Sequence, residues 1–278
     1  MSAAGFDVRA YSLDAQGSLR TRLSGVGEPI DDALRDLLRY LRERFGGTTT
    51  WLSLVLVTPT HKDARITAFL STWAYERHWM SDALLALAGG VPAVPVPRGR
   101  VTSAFERLGP LREAVVANVH GRGLSAVHMT ERVVDGALLD ALLTRAVALA
   151  PEAVAHDLEH LREVLERQQE FFLETAHARL AESGRAQRLT RARVLARAWP
   201  IGAELDPAGT ARALTILTEG DPGWAARLDA RIEALPGLAG LGVMRRTAAN
   251  PGAPALRTPL RPAAALGRLA ASVVNKKG

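Results

Sequence analysis

Two polar side chains interrupt the apolar faces of two long segments with helical periodicity. The first is Arg77, which lies in a stripe made of Phe69, Leu70, Trp73, Met80, Leu84 and Leu87. The second is Gln168, which lies in a stripe made of Val154, Leu158, Leu161, Leu165 and Phe172. Residues spaced by three or four positions share one face of a helix, so both polar groups are expected to point into a core or a pocket.

The chemistry that this pair predicts is the binding of an oxyanion. A guanidinium with an amide opposite can hold a carboxylate or enolate oxygen through charge-assisted hydrogen bonds. In the alternative interpretation, Arg77 pairs with Glu76, Asp135 or another internal carboxylate and ties the helices together. A buried arginine is destabilising unless it binds an anionic ligand or pairs with an internal carboxylate. The sequence leaves both open.

Proton transfer could come from residues beside Arg77 or on the next helix. Glu76 and His78 are rotated by about 100° to either side of Arg77, so at most one of them can share its cavity. Glu76 is the better acid–base candidate, whereas His78 is more typical of a surface. His128 and Asp135 can contribute from the segment that follows.

Two pairs of residues have the spacing of metal ligands. Glu174 and His177 form a Glu-x-x-His, and His128 and Glu131 form its mirror image. Each spacing places two ligands on one helical face, as in the di-metal centres of helical bundles. Neither spacing is specific in a chain rich in arginine and glutamate. Glu174 and His177 also lie off the stripe of Gln168, which favours a solvated face for that pair.

Composition limits the class of protein. The chain has 278 residues, is 47% hydrophobic and contains no cysteine, so disulfides and thiolate chemistry are excluded. The net charge is +6, but arginines alternate with acidic residues along the helices, and nucleic acid is therefore not expected as a partner. No apolar run reaches the roughly 18 residues of a membrane span, and no signal peptide is recognised, so a cytoplasmic location is expected.

The elements that must position these side chains are predicted to be helices. Residues 1–30 look irregular, and residues 51–57 are either strand-like or a buried connection. The predicted helices cover about 31–45, 61–88, 103–119, 124–148, 151–181, 189–198, 207–217 and 223–235. We divide the chain into an N-terminal extension with one helix (1–60), a helical domain (61–245) and a tail rich in proline, alanine and arginine (246–278), which includes a weakly amphipathic piece at 262–274. The fold class is all-α.

Four segments resemble a known family. They are WAYERHWMSDALLAL (73–87), AVHMTERVVDGAL (126–138), LAESGRAQRLTR (180–191) and ARLDARIEALPGLAGL (226–241). They resemble an actinobacterial group of ferritin-like proteins related to di-iron oxidases and acyl-carrier-protein desaturases. The resemblance covers about 60–241 and implies a ferritin-like helical bundle with flanking helices.

The resemblance also implies that the metal ligands of the family are lost. Where the family has Glu-x-x-His, Glu and a second Glu-x-x-His, this chain has Arg77 and Met80, Gly136, and Leu165 and Gln168. These side chains cannot hold two metal ions, so no metal and no other cofactor is expected. The vacated volume must be filled by side chains or by a ligand. We therefore predict a site in which Arg77, Glu76 and His128 are catalytic. The predicted substrate-binding residues are Gln168, Met80, Trp73, Leu165, Gly136 and Asp135.

The function expected from these residues is the binding or redox-neutral conversion of an apolar small molecule with an acidic or carbonyl group. Whether the protein is an enzyme stays uncertain, and a cofactor-independent lyase, isomerase or cyclase of natural product biosynthesis is favoured. One alternative is a di-iron oxidase with unconventional ligands, drawn from Glu76, His128, Glu131, Glu174 and His177. Another is a non-catalytic partner of a metal-bearing paralogue, and both a homodimer and such a heterodimer stay open.

Overall fold

A computed structural model describes residues 5–56, 58–90 and 123–254, and these ranges contain helices and no strand. The α-helices are α1 (Val8–Leu13), α2 (Asp32–Gly46), α3 (Thr48–Leu56), α4 (Ala64–Leu87), α5 (Gly123–Leu149), α6 (Glu152–Ala181), α7 (Gly184–Leu195), α8 (Pro207–Gly220), α9 (Trp224–Glu233) and α10 (Val243–Ala249). Two 3₁₀ turns lie at Pro59–Lys62 and Ala203–Leu205. The all-α prediction is confirmed.

Side-chain caps explain where the central helices begin. The Asp63 carboxylate accepts the backbone N–H of Ile66 at 3.2 Å and starts α4. The Asp31 carboxylate does the same for Leu34 at 2.7 Å and starts α2. Each cap satisfies a backbone donor that has no partner within the first turn. The buried faces of these two helices include Arg77 and Phe45.

The most deeply placed helix is α5. It is joined to α6 by two residues, and the two helices pack along each other as a hairpin. Helix α7 also lies along α5, while α2 packs on α4. Every residue of α5 from 124 to 139 is buried. Polar residues of this stretch must therefore find their partners inside the protein.

Several predicted boundaries are wrong. Residues 51–56 of the segment predicted to be strand-like or a buried connection belong to helix α3, in which Trp51 packs edge-on against Trp73, with ring centroids 5.6 Å apart. The described part of residues 1–60 contains three α-helices where one helix was predicted, and Asp7 caps α1 within the stretch predicted to be irregular. Helix α7 begins five residues before the predicted start, where Ser183 caps it.

Helix α10 ends at Ala249, three residues beyond the position at which the predicted division begins the tail. The predicted helix at 103–119 and the amphipathic piece at 262–274 lie outside the described residues. Among the described helices, none has the length and apolar character needed to cross a membrane.

Candidate functional site

Arg77 lies at the centre of the helical body with 2% of its surface exposed. Its guanidinium carbon is 4.4 Å from the ring centroid of Phe45 and 5.4 Å from that of Trp73. Nε and Nη2 are buried and donate no hydrogen bond, and within the described ranges Arg77 has no ion pair. Burial lowers the pKa of Arg77 to about 10, and the charges of Asp135, Tyr11 and Glu76 oppose that effect. The aromatic faces therefore hold a cation that lacks a direct counter-charge.

A second buried arginine, Arg132 on α5, contacts the same indole. Its guanidinium carbon is 5.0 Å from the ring centroid of Trp73 and 4.0 Å from that of Trp51. Unlike Arg77, it has a carboxylate partner: Nη1 donates to Oδ2 of Asp135 at 3.0 Å. Burial lowers the pKa of Arg132 to about 10, and Asp135 opposes the shift.

Asp135 pairs directly with Arg132, and its charge also acts on Arg77 from a greater distance. Its Oδ1 accepts the backbone N–H of Ile201 at 2.7 Å, and its Oδ2 accepts from Arg132. We call the group formed by Arg77, Arg132, Asp135, Trp73 and Trp51 the arginine centre. Two guanidinium groups and one carboxylate give it an excess of positive charge in a medium of low dielectric constant. Arg132 is not among the residues predicted to form the site, because its spacing to Asp135 is also typical of a pair on a helix surface.

Glu76 lies on another side of α4 and belongs to a separate network. Its side chain is fully buried and accepts four hydrogen bonds. Oε1 accepts from the backbone N–H of Gln16 and from Nη2 of Arg167, both at 2.9 Å. Oε2 accepts from the hydroxyl of Tyr11 and from Nε2 of Gln168, the latter at 2.8 Å. A role of Glu76 as acid or base would require one of these donors to leave.

Gln168 faces Glu76 and Met80. Its Nε2 lies 3.8 Å from Sδ of Met80. The amide that was predicted to lie opposite Arg77 thus donates to Glu76 instead. The hydrogen bond to Glu76 fixes the amide, because a flipped amide would bring two acceptor oxygens together. Gln168 Oε1 is buried and has no hydrogen-bond partner in the part of the chain that the structure describes.

The predicted positions 165 and 136 line no space beside Arg77. Leu165 is fully buried in the hydrophobic core. At Gly136, an added Cβ would lie 1.8 Å from Nε2 of Gln169, whose amide donates to the backbone oxygen of Arg132 at 3.2 Å. The missing side chain at 136 therefore lets Gln169 cover the backbone of α5.

His128 lies at the edge of the arginine centre. It is 3% exposed, and its Nδ1 is 3.0 Å from Oγ1 of Thr60. The imidazole and the Trp51 indole meet edge to face with centroids 5.9 Å apart. Of the three residues predicted to be catalytic, Arg77 and His128 are thus linked through Trp73 and Trp51, and Glu76 lies apart from both.

The candidate metal ligands do not gather. Glu131 is buried and pairs with Nε of Arg197 at 3.0 Å, and Glu174 pairs with Nη2 of Arg65 at 2.8 Å. His177 is exposed on α6. In the described ranges, no group of three histidine or carboxylate side chains could hold a metal ion. The residues present do not fit a di-metal centre, and we derive no chemistry through one.

Comparison with known proteins gave no relative. A scan against protein-family models found no match, and searches of curated proteins and of solved structures likewise found none. The resemblance to ferritin-like proteins stays a prediction.

Two buried tyrosines predict a loss of stability at alkaline pH. Burial raises the pKa of Tyr40 to about 12, and burial together with Glu76 raises the pKa of Tyr11. An unfolded tyrosine ionises near pH 10, so the folded state binds more protons above that pH. The stability that these neutral phenols contribute is complete below about pH 10 and is lost as the pH rises towards their folded pKa values.

Urea unfolding between about pH 9 and pH 11 measures this effect. We expect Tyr11→Phe to make the alkaline decline shallower, with the half-exposed Tyr75→Phe as the matched control. An unchanged decline in Tyr11→Phe would contradict the assignment.

Proposed function

We propose that the protein binds an apolar small molecule through a carboxylate, enolate or carbonyl oxygen at the arginine centre. The observation that carries the proposal is the buried guanidinium of Arg77, which has no ion pair among the described residues. An uncompensated buried cation is unfavourable, and an anionic ligand would remove that penalty. The indole and phenyl rings around both arginines supply apolar contact for the rest of the ligand.

The same arrangement supports redox-neutral cyclisation, isomerisation or elimination. Such reactions develop negative charge on a carbonyl oxygen when a neighbouring carbon loses a proton. Preorganised guanidinium groups in a site without water stabilise that charge. His128 is the proposed proton carrier, because an imidazole can both accept and donate a proton and because Glu76 already accepts hydrogen bonds from four donors.

Access to Arg77 requires side chains to move, because only 2% of its surface is exposed. Binding that needs such a rearrangement has an association rate below the usual range of about 10⁵–10⁷ M⁻¹s⁻¹. Slow association at a buried anion site is therefore part of the proposal.

Octanoate and octanamide are the probes that test it, because they differ in charge and little in shape. We expect octanoate to raise the melting temperature and to change the fluorescence of the tryptophans at the centre, whereas octanamide does neither. Arg77→Met should abolish the response, and the exposed Arg9→Met should keep it. Equal responses to the two probes, or an unchanged response in Arg77→Met, would refute an anion site at this position.

A further inference from the structure

A polar pocket lies on the surface between the segment that follows α1 and helix α6. It has a volume of about 450 Å³, and its lining includes Asp14, Gln16, Ser18, Arg22 and Arg167. We call it the outer pocket. Its volume falls within the range of about 300–1,000 Å³ that is typical of small-molecule sites.

The outer pocket contains two guanidinium groups and one carboxylate, that of Asp14. Arg22 is exposed, and its Nη1 makes one long hydrogen bond of 3.4 Å to Oε1 of Gln16. Arg167 donates from Nη2 to Glu76 at 2.9 Å, and its buried Nε has no hydrogen-bond partner among the described residues. Its side chain is 30% exposed. Donor capacity is thus left on both cations.

We propose that the outer pocket is a second binding site, which takes the phosphate or carboxylate group of a polar small molecule. Both oxyanions match the planar fork of an arginine. The pocket exceeds the size of one such group, and its amide and hydroxyl groups, from Gln16 and Ser18, suit a polar ligand body. This ligand class differs from that of the arginine centre, which is enclosed by aromatic rings. The inference therefore stands independently of the proposed function.

Binding in the outer pocket should also stabilise the segment that lines it. Gln16 is part of the lining, and its backbone N–H donates to the buried Oε1 of Glu76. An anion beside Arg167 and Arg22 links this segment more firmly to α6. Hydrogen exchange of the Gln16 amide is therefore expected to slow when the pocket is occupied.

Isothermal titration in chloride buffer with inorganic phosphate, phenyl phosphate and acetate tests the site. The decisive variants are at Ser18, which is exposed, lines the pocket and is not one of the four donors to Glu76. Ser18→Asp places a negative charge in the pocket and should weaken binding at least about tenfold, whereas the neutral Ser18→Asn should bind as the wild type does. Arg22→Gln should weaken binding similarly, and Arg9→Gln, which removes the same charge outside the pocket, should not.

The three probes identify the ligand class. Tighter binding of the two phosphates than of acetate indicates a phosphorylated ligand, and the reverse order indicates a carboxylate. Unchanged binding in Arg77→Met separates this site from the arginine centre. The proposal is overturned if none of the probes binds at about 10 mM, or if Ser18→Asp and Arg22→Gln bind as tightly as the wild type.

Discussion

Arg77→Met is expected to leave the free energy of unfolding unchanged or to raise it, whereas Arg132→Met is expected to lower it by about 3–5 kcal/mol. The two arginines form a matched pair. Both are buried, and each contacts two aromatic rings, Trp73 among them. They differ in that Arg132 has a carboxylate partner, Asp135, at 3.0 Å.

The difference follows from what each substitution leaves behind. Methionine at 132 leaves the Asp135 carboxylate buried without its direct ion-pair partner. The backbone N–H of Ile201 is then its remaining hydrogen-bond donor among the described residues, and a buried charge that loses its direct partner is strongly destabilising. Methionine at 77 removes a cation that has no ion pair among the described residues. It loses cation–π contacts of about 2 kcal/mol each in a desolvated site, and it also removes a desolvation penalty of several kcal/mol.

Urea denaturation of both variants without ligand, followed by octanoate titration of Arg77→Met, checks this prediction. A stable Arg77→Met protein that no longer responds to octanoate is the pattern of a functional residue, since binding sites trade stability for function. If Arg77→Met loses as much stability as Arg132→Met, Arg77 is a structural tie and the binding proposal is wrong.

The inward position of Arg77 and Gln168 could be predicted from periodicity alone, because α4 and α6 each have one dominant apolar face. Both side chains are buried, as expected. Periodicity does not reveal the buried Arg132 on α5. Its residues 124–139 are buried on every side, so no polar face marks the position of Arg132.

The surroundings of Glu76 could not be predicted because its partners are far away in the chain. Gln16 and Tyr11 lie 60 and 65 positions before it, in a stretch without a strong helical pattern. The rotation of about 100° between neighbouring helix positions did indicate that Glu76 and Arg77 face different surroundings. It could not indicate that residues 11–16 cover Glu76.

Helix α3 shows how tertiary packing overrides local preference. Its sequence, TTTWLSLVL, is rich in β-branched and aromatic residues and therefore predicts a strand. In the fold, helical geometry directs Trp51 towards Trp73, His128 and Arg132 at once. Burial of one large indole is worth more than the small difference in intrinsic propensity.

Glu76→Gln is expected to lower the free energy of unfolding by about 3 kcal/mol, because Glu76 anchors the N-terminal segment. Glutamine keeps the shape but replaces one acceptor oxygen with a donor. The amide must then face donors on Tyr11, Gln16, Arg167 or Gln168, and some of them lose their partner. The expected loss of unfolding free energy stays below the upper limit for breaking a buried ion pair, because the side chain of Arg167 is 30% exposed and can be hydrated.

Tyr11→Phe and Asp157→Asn are the matched comparisons. Tyr11→Phe removes one donor and leaves three on Glu76, so we expect a smaller loss of about 1–2 kcal/mol. Asp157 holds the same segment further along by accepting hydrogen bonds from the backbone N–H groups of Ser24 and Gly25, and it has no ion pair in the part of the chain that the structure describes. Asp157→Asn should therefore speed hydrogen exchange of the Ser24 and Gly25 amides and leave exchange of the Gln16 amide unchanged.

Urea denaturation combined with hydrogen exchange separates the two roles open to Glu76. If it is an anchor, Glu76→Gln is destabilised and the Gln16 amide exchanges faster, because that amide loses a buried charged acceptor. If Glu76 is the acid or base of a reaction, Glu76→Gln keeps or gains stability while turnover disappears, as for other functional groups held at a cost in stability. The second result would return Glu76 to the catalytic role that the sequence predicts and would remove His128 from it.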